Sequence, residues 1–150
     1  MQRVVTLYRS TVGKKVLMAL SGIVLFGFVL VHMIGNLKIL QCMNDEGVYA
    51  MDAYGEFLRD VGYPLVPHEG VLWITRLILL AAVLTHIVMA VQLSRRSGAA
   101  RSRSYEKKES LSFSYASRTM RFGGVILALF IVYHILHFTT GQAHPQFEHG

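Results

Sequence analysis

Four of the seven histidines in this 150-residue chain, His32, His86, His134 and His137, fall inside long apolar stretches. An ionisable side chain at membrane depth is rare and marks a functional site by default. A neutral imidazole keeps a lone pair on one ring nitrogen, and with it can ligate haem iron, relay a proton or bond to a neighbouring helix. Nothing else in the chain offers a competing chemistry. It has no nucleophile and base arrangement, no phosphate loop and no cysteine and histidine metal spacing, and its single cysteine, Cys42, excludes an internal disulfide and reads as a buried or reduced thiol. No residue is assigned a catalytic role.

The elements that must position these rings follow from composition. Hydrophobic residues make up 53% and charged residues 16%, outside the range of ordinary soluble proteins, and the apolar content is gathered in blocks. Three blocks, residues 16–40, 71–93 and 122–140, each reach the roughly 20 residues that cross a bilayer core. The fold expected is therefore all-α: an integral membrane helical bundle of three transmembrane helices forming one membrane domain, 1–150. The first block starts late, runs long and lacks a small-residue cleavage pattern, so it reads as a retained helix rather than a signal peptide. Between the first two blocks lies a polar connection, 41–70, with apolar residues at helical spacing from Tyr49 to Asp60, which predicts a short interfacial helix. The second connection, 94–121, is rich in Ser, Arg and Lys and reads as an aqueous loop.

Charge orients the bundle. Four basic residues (Arg3, Arg9, Lys14, Lys15) precede the first block, and eight (Arg95, Arg96, Arg101, Arg103, Lys107, Lys108, Arg118, Arg121) lie in the second connection. The first connection holds six of the nine acids: Asp45, Glu46, Asp52, Glu56, Asp60 and Glu69. The positive-inside rule then predicts a cytoplasmic amino terminus and second connection, with the first connection and the carboxyl terminus outside. A net charge of +6 distributed in this way serves topology; no nucleic acid partner is expected.

Depth separates the histidines. His32 lies 17 residues past Lys15 and His134 lies 13 past Arg121, roughly 25 and 20 Å from the inner flank at the helical rise. His86 is nine residues before Arg95, or roughly 13 Å. A bis-histidine haem needs two rings at one depth on facing helices. His32 and His134 meet that condition as ligands of an outer haem. His86 is half of an inner site whose second ligand lies outside these residues. His137, three residues past His134 on a neighbouring part of the face, is the alternative to it. The bland reading stays beside this one: histidines hydrogen-bonded between helices or facing a cavity.

Arg76 is a candidate contact for a haem propionate, with snorkelling to the interface as the rival reading. Lys14, Lys15, Arg118 and Arg121 read as topology charges first and as propionate or partner contacts second. Gly22, Gly27, Gly123 and Gly124 suit either a flat macrocycle or close helix packing. Trp73, Tyr8 and Tyr63 fit an interfacial belt in contact with lipid. His68, His144 and His149 fall in outer segments and read as solvated.

The chain resembles a known family on several short motifs in order: Ser10-Thr11-Val12-Gly13-Lys14-Lys15 leading to Met18-Ala19-Leu20-Ser21-Gly22, Val31-His32-Met33-Ile34-Gly35-Asn36, Thr85-His86-Ile87-Val88 with Ser94-Arg95-Arg96, and Tyr115-Ala116-Ser117-Arg118-Thr119-Met120 leading to Tyr133-His134. The family is the dihaem cytochrome b membrane subunit of bacterial succinate dehydrogenases and fumarate reductases. The resemblance implies that His32 and His134 ligate the iron of the distal haem b and His86 that of the proximal one. It also implies a place in the bacterial cytoplasmic membrane, a flavoprotein subunit and an iron-sulfur subunit as partners, and membrane quinone as the electron carrier. Members of the family commonly have five transmembrane helices. With three here, it implies either further chain or a second small membrane subunit. Two rival readings remain: the cytochrome b subunit of another quinone-linked enzyme, such as a formate dehydrogenase or hydrogenase, and a haem-free anchor or transporter component whose histidines relay protons.

Overall fold

The computed structural model describes residues 8–44, 47–100 and 115–143, without the side chains of 116–118 and 121. Residues 101–114 of the second connection, Arg3, Asp45, Glu46, His144 and His149, and the side chains of Arg118 and Arg121, lie outside the described part. The chain forms two units, Met1–Arg103 and Ser104–Gly150.

The first unit holds α1 (Thr11–Asn36), α2 (Ala50–Asp60) and α3 (Gly70–Ala99). The second holds α4 (Tyr115–His134). Among the described residues three helical stretches, Thr11–Leu40, Gly70–Ala99 and Phe122–Thr139, are long and apolar enough to cross a membrane. Inside a bilayer every backbone polar group must be paired within the chain, which selects helices for such stretches.

Helix ends differ from the apolar blocks for local reasons. The side chain of Ser10 accepts a hydrogen bond from the Gly13 amide at 2.9 Å, a capping contact that starts α1 at Thr11, ahead of the first apolar residue of the block. At its far end α1 tightens into a 3₁₀ turn, Leu37–Leu40. α3 continues through Arg95 and Arg96 to Ala99, because basic residues end an apolar block without ending a helix. The aqueous loop expected over 94–121 is thus partly helical at both ends. α4 closes in a π turn, Ile135–Thr139, in which the Thr140 amide reaches the Ile135 carbonyl at 3.0 Å.

No soluble core accompanies these helices. Among the described residues the buried apolar side chains are Ala82 and Met89 alone. Phe26, Ile34, Leu77, Leu80, Ile126 and Leu129 all face outward, as lipid-facing side chains do. Cys42 is exposed and free, so of the two readings the reduced thiol holds and the buried one does not.

The short helix expected in the first connection is present as α2, one residue shorter than predicted. It rests on α1 at a glycine: a Cβ on Gly35 would lie 2.7 Å from Cε1 and 2.8 Å from Oη of Tyr54. The Lys38 ammonium stands over the same ring, 5.5 Å from its centroid. The connection then folds back on α2, with the Glu69 amide donating to the Arg59 carbonyl at 2.7 Å and His68 Nε2 lying 3.1 Å from Asp60 Oδ1. Gly35→Val should therefore displace α2 at a cost of about 1–3 kcal/mol, typical of overpacking. Limited proteolysis of membrane vesicles should show faster cleavage between residues 41 and 69; an unchanged rate would mean that this contact does not hold α2.

Candidate functional site

α1 and α3 meet along one face of each. On α1 the contacting residues are Lys14, Met18 and Gly22, four apart, with Ser21 beside them, and on α3 they are His86 and Gln92, with the buried Met89 between them in sequence. Both patterns trace a single helical stripe. Lys14 bonds to the Gln92 side chain, Ser21 meets His86, and Arg96 donates to the Thr11 hydroxyl at 3.3 Å and the Arg9 carbonyl at 2.9 Å. Residue numbers rise along one helix as they fall along the other, so the two run antiparallel.

His86 is the best-defined member of the site. Its Nδ1 lies 3.1 Å from the Met18 carbonyl oxygen and 3.2 Å from Ser21 Oγ. A carbonyl oxygen can only accept, so Nδ1 carries the proton. The Ser21 hydroxyl is turned back to the Leu17 and Met18 carbonyls, at 2.8 and 3.0 Å, the usual way a serine satisfies itself inside a helix. Its oxygen is then left to accept from Nδ1. In the neutral ring this puts the lone pair on Nε2, which makes no hydrogen bond to any described residue. A histidine whose Nδ1–H is tied to a backbone carbonyl and whose Nε2 is open is set up as metal-ligating histidines are. Gly22 supplies the room, since a Cβ there would lie 3.3 Å from Cε1 of the His86 ring. The interhelical hydrogen bond of the bland reading is thus present on one nitrogen, and the other nitrogen remains available.

His32 lies at another level. His86 is level with Met18 to Gly22, and His32 is ten residues beyond Gly22, roughly 15 Å along α1 at the helical rise. The two rings therefore do not share a site. The His32 ring stacks on Phe28 with centroids 5.1 Å apart, and its carbonyl accepts from the Asn36 side chain at 2.7 Å. Arg76 is ten residues from His86 in the opposite sense along α3, which by the antiparallel register brings it level with His32. Its guanidinium stands over the Trp73 ring, 4.8 Å from the centroid, a contact that suits a side chain at the interface.

In the second unit, His134 ends α4 between two rings, Phe130 at 5.5 Å and Phe138 at 5.1 Å. His137 sits in the π turn with its Nδ1 3.4 Å from the Tyr133 hydroxyl and the two rings stacked. Phe138 lies against both histidines, 4.5 Å from His137 and 5.1 Å from His134 between centroids, while the Tyr133 phenol engages His137.

The donor at His86 is of a kind that haem iron can take as an axial ligand. Among the described residues no three histidines, cysteines or carboxylates converge, and α1 and α3 contain neither Asp nor Glu. A structural zinc site needs four such ligands. Haem iron takes four from its macrocycle and asks the protein only for axial ones. His86, with its Nε2 open, fits that demand.

Ser21 and the Met18 carbonyl, which fix the His86 tautomer, and Gln92, which meets Lys14, were not visible as site residues in the sequence. The available signal was the stripe Lys14, Met18, Ser21, Gly22 in an otherwise apolar helix. Lys14, read first as a topology charge, is only 7% exposed. No protein-family model, curated protein or solved structure matches the chain.

Proposed function

We propose that this chain is a haem b-binding membrane anchor of a succinate dehydrogenase or fumarate reductase in the bacterial cytoplasmic membrane. Its amino terminus is cytoplasmic, and it passes electrons between an iron-sulfur subunit and membrane quinone. The observation that carries the reading is His86: a ring inside an apolar helix, its Nδ1 proton given to the Met18 carbonyl and its Nε2 open. The order and spacing of the motifs around His32, His86 and His134 add to it.

In this reading His86 holds the iron of an inner haem whose second ligand comes from another helix or subunit. His32 and His134 hold that of an outer haem, with His137 as the alternative to His134. Bound haem supplies one-electron redox chemistry. The chain supplies the His86 imidazole in a fixed tautomer, an apolar wall that excludes water, and Arg76 level with His32 for a propionate. The basic residues at the inner ends of the helices suit docking of the iron-sulfur subunit. The dicarboxylate binds elsewhere, so the chain alone catalyses nothing.

A reduced-minus-oxidised spectrum of the purified membrane complex tests this directly. A b-type absorption band that succinate reduces is the expected result. No such band would refute haem binding and favour the proton-relay anchor. A band that succinate leaves oxidised would favour another quinone-linked dehydrogenase.

A further inference from the structure

Lys14 is the anomaly of the α1–α3 seam. Its side chain is buried, 7% exposed, yet its partners are neutral: the Gln92 side-chain oxygen and the face of Tyr8, 5.3 Å from the ring centroid. An ammonium has three donors, and buried charges in proteins are paired or they are unfavourable. The carboxylate ion pairs among the described residues both lie in the 59–69 connection, far along the chain from Lys14. Arg96 is committed to the Thr11 hydroxyl and the Arg9 carbonyl. Among the described residues, therefore, the buried Lys14 ammonium meets no carboxylate.

The place of Lys14 identifies the chemistry of the anion it would take. Gln92 is six residues from His86 on the same stripe of α3, roughly 9 Å at the helical rise, and towards the amino-terminal end of α1. A macrocycle liganded at His86 is apolar over most of its surface and carries two carboxylate arms on one edge. Lipid phosphates are the other anions at this depth, but Arg9, Lys15 and Arg95 are exposed and meet them first. We infer that Lys14, held by Gln92, neutralises a propionate of the haem that His86 ligates. This rests on the haem reading and extends it to a residue that binds the cofactor through its charge.

Redox titration of the assembled complex tests the assignment, with His86→Ala identifying which haem is the inner one. Lys14→Met should lower the midpoint potential of that haem alone, because removing a positive charge beside the cofactor favours its more positive, oxidised form. Lys14→Arg should stay near wild type. The potential of the outer haem should not move, and it reports that the variant is folded. If Lys14→Met disturbs assembly, Lys14→Gln removes the charge while keeping a polar contact to Gln92, and the same downward shift is expected. An unchanged inner potential in the neutral variants, or an equal shift of both haems, overturns the inference, as does loss of a bound phospholipid without any shift. A wild-type complex without haem overturns the functional reading itself, before any variant is made.

Discussion

His86→Ala should remove one b-type haem from the membrane complex and leave the other at its native potential. Loss of an axial imidazole takes away an iron bond that the surrounding apolar wall cannot replace, so the effect is loss of the centre and not a modest change in affinity. The selectivity follows from level: the ring sits against Met18, Ser21 and Gly22, roughly 15 Å by the helical rise from His32. His32→Ala and His134→Ala should each remove the other haem. Pyridine haemochrome content and resolved redox titrations measure both outcomes. If His137→Ala removed that haem and His134→Ala did not, the ligand on α4 would be His137. Removal of the same haem by His32→Ala and His86→Ala would contradict the separation of levels.

Gly22→Leu should abolish the inner haem as thoroughly as removal of the histidine, without touching the ligand. A Cβ at this position already lies 3.3 Å from Cε1 and 3.6 Å from Nδ1 of His86, so an alanine asks the ring to give slightly and a leucine leaves it no place. Displacing the ring breaks the bond to the Met18 carbonyl and with it the preference for the tautomer that frees Nε2. Gly98, near the end of α3, provides the control, since its Cβ would meet nothing within 4 Å. Gly98→Ala should leave both haems intact. The same spectra decide the matter, and a Gly22→Leu complex with both haems at native potentials would show that the fit of the ring against α1 is irrelevant to cofactor binding.

Hydropathy located the three long apolar helices because that signal depends only on where apolar residues stand along the chain. It misplaced helix ends because capping and propensity act on the backbone: Ser10 starts α1 early, and Arg95 and Arg96 end an apolar block inside a continuing helix. The amphipathic spacing of Met51, Tyr54, Leu58 and their neighbours was enough to reveal α2. The tautomer of His86 was beyond reach, since its acceptor is the backbone of Met18, and any residue type would present the same carbonyl. The enclosure of Lys14 was out of reach for a different reason. A lysine at the start of a span reads as a topology charge, and only the approach of α3 shows that it is enclosed.

The π turn after His134 has a consequence for how this end of the protein can change. Each of its residues subtends less arc than an α-helical residue, so Phe138 and the residues after it lag behind the phase set by Phe130 and His134. Deleting one residue between Ile135 and Thr139 would let the turn revert to α winding, with four residues covering nearly the arc that five cover now, and leave His134 where it stands. The turn acts as a slip joint. A single residue can be gained or lost there while the exit direction of the chain and the bearing of the candidate ligand are both kept.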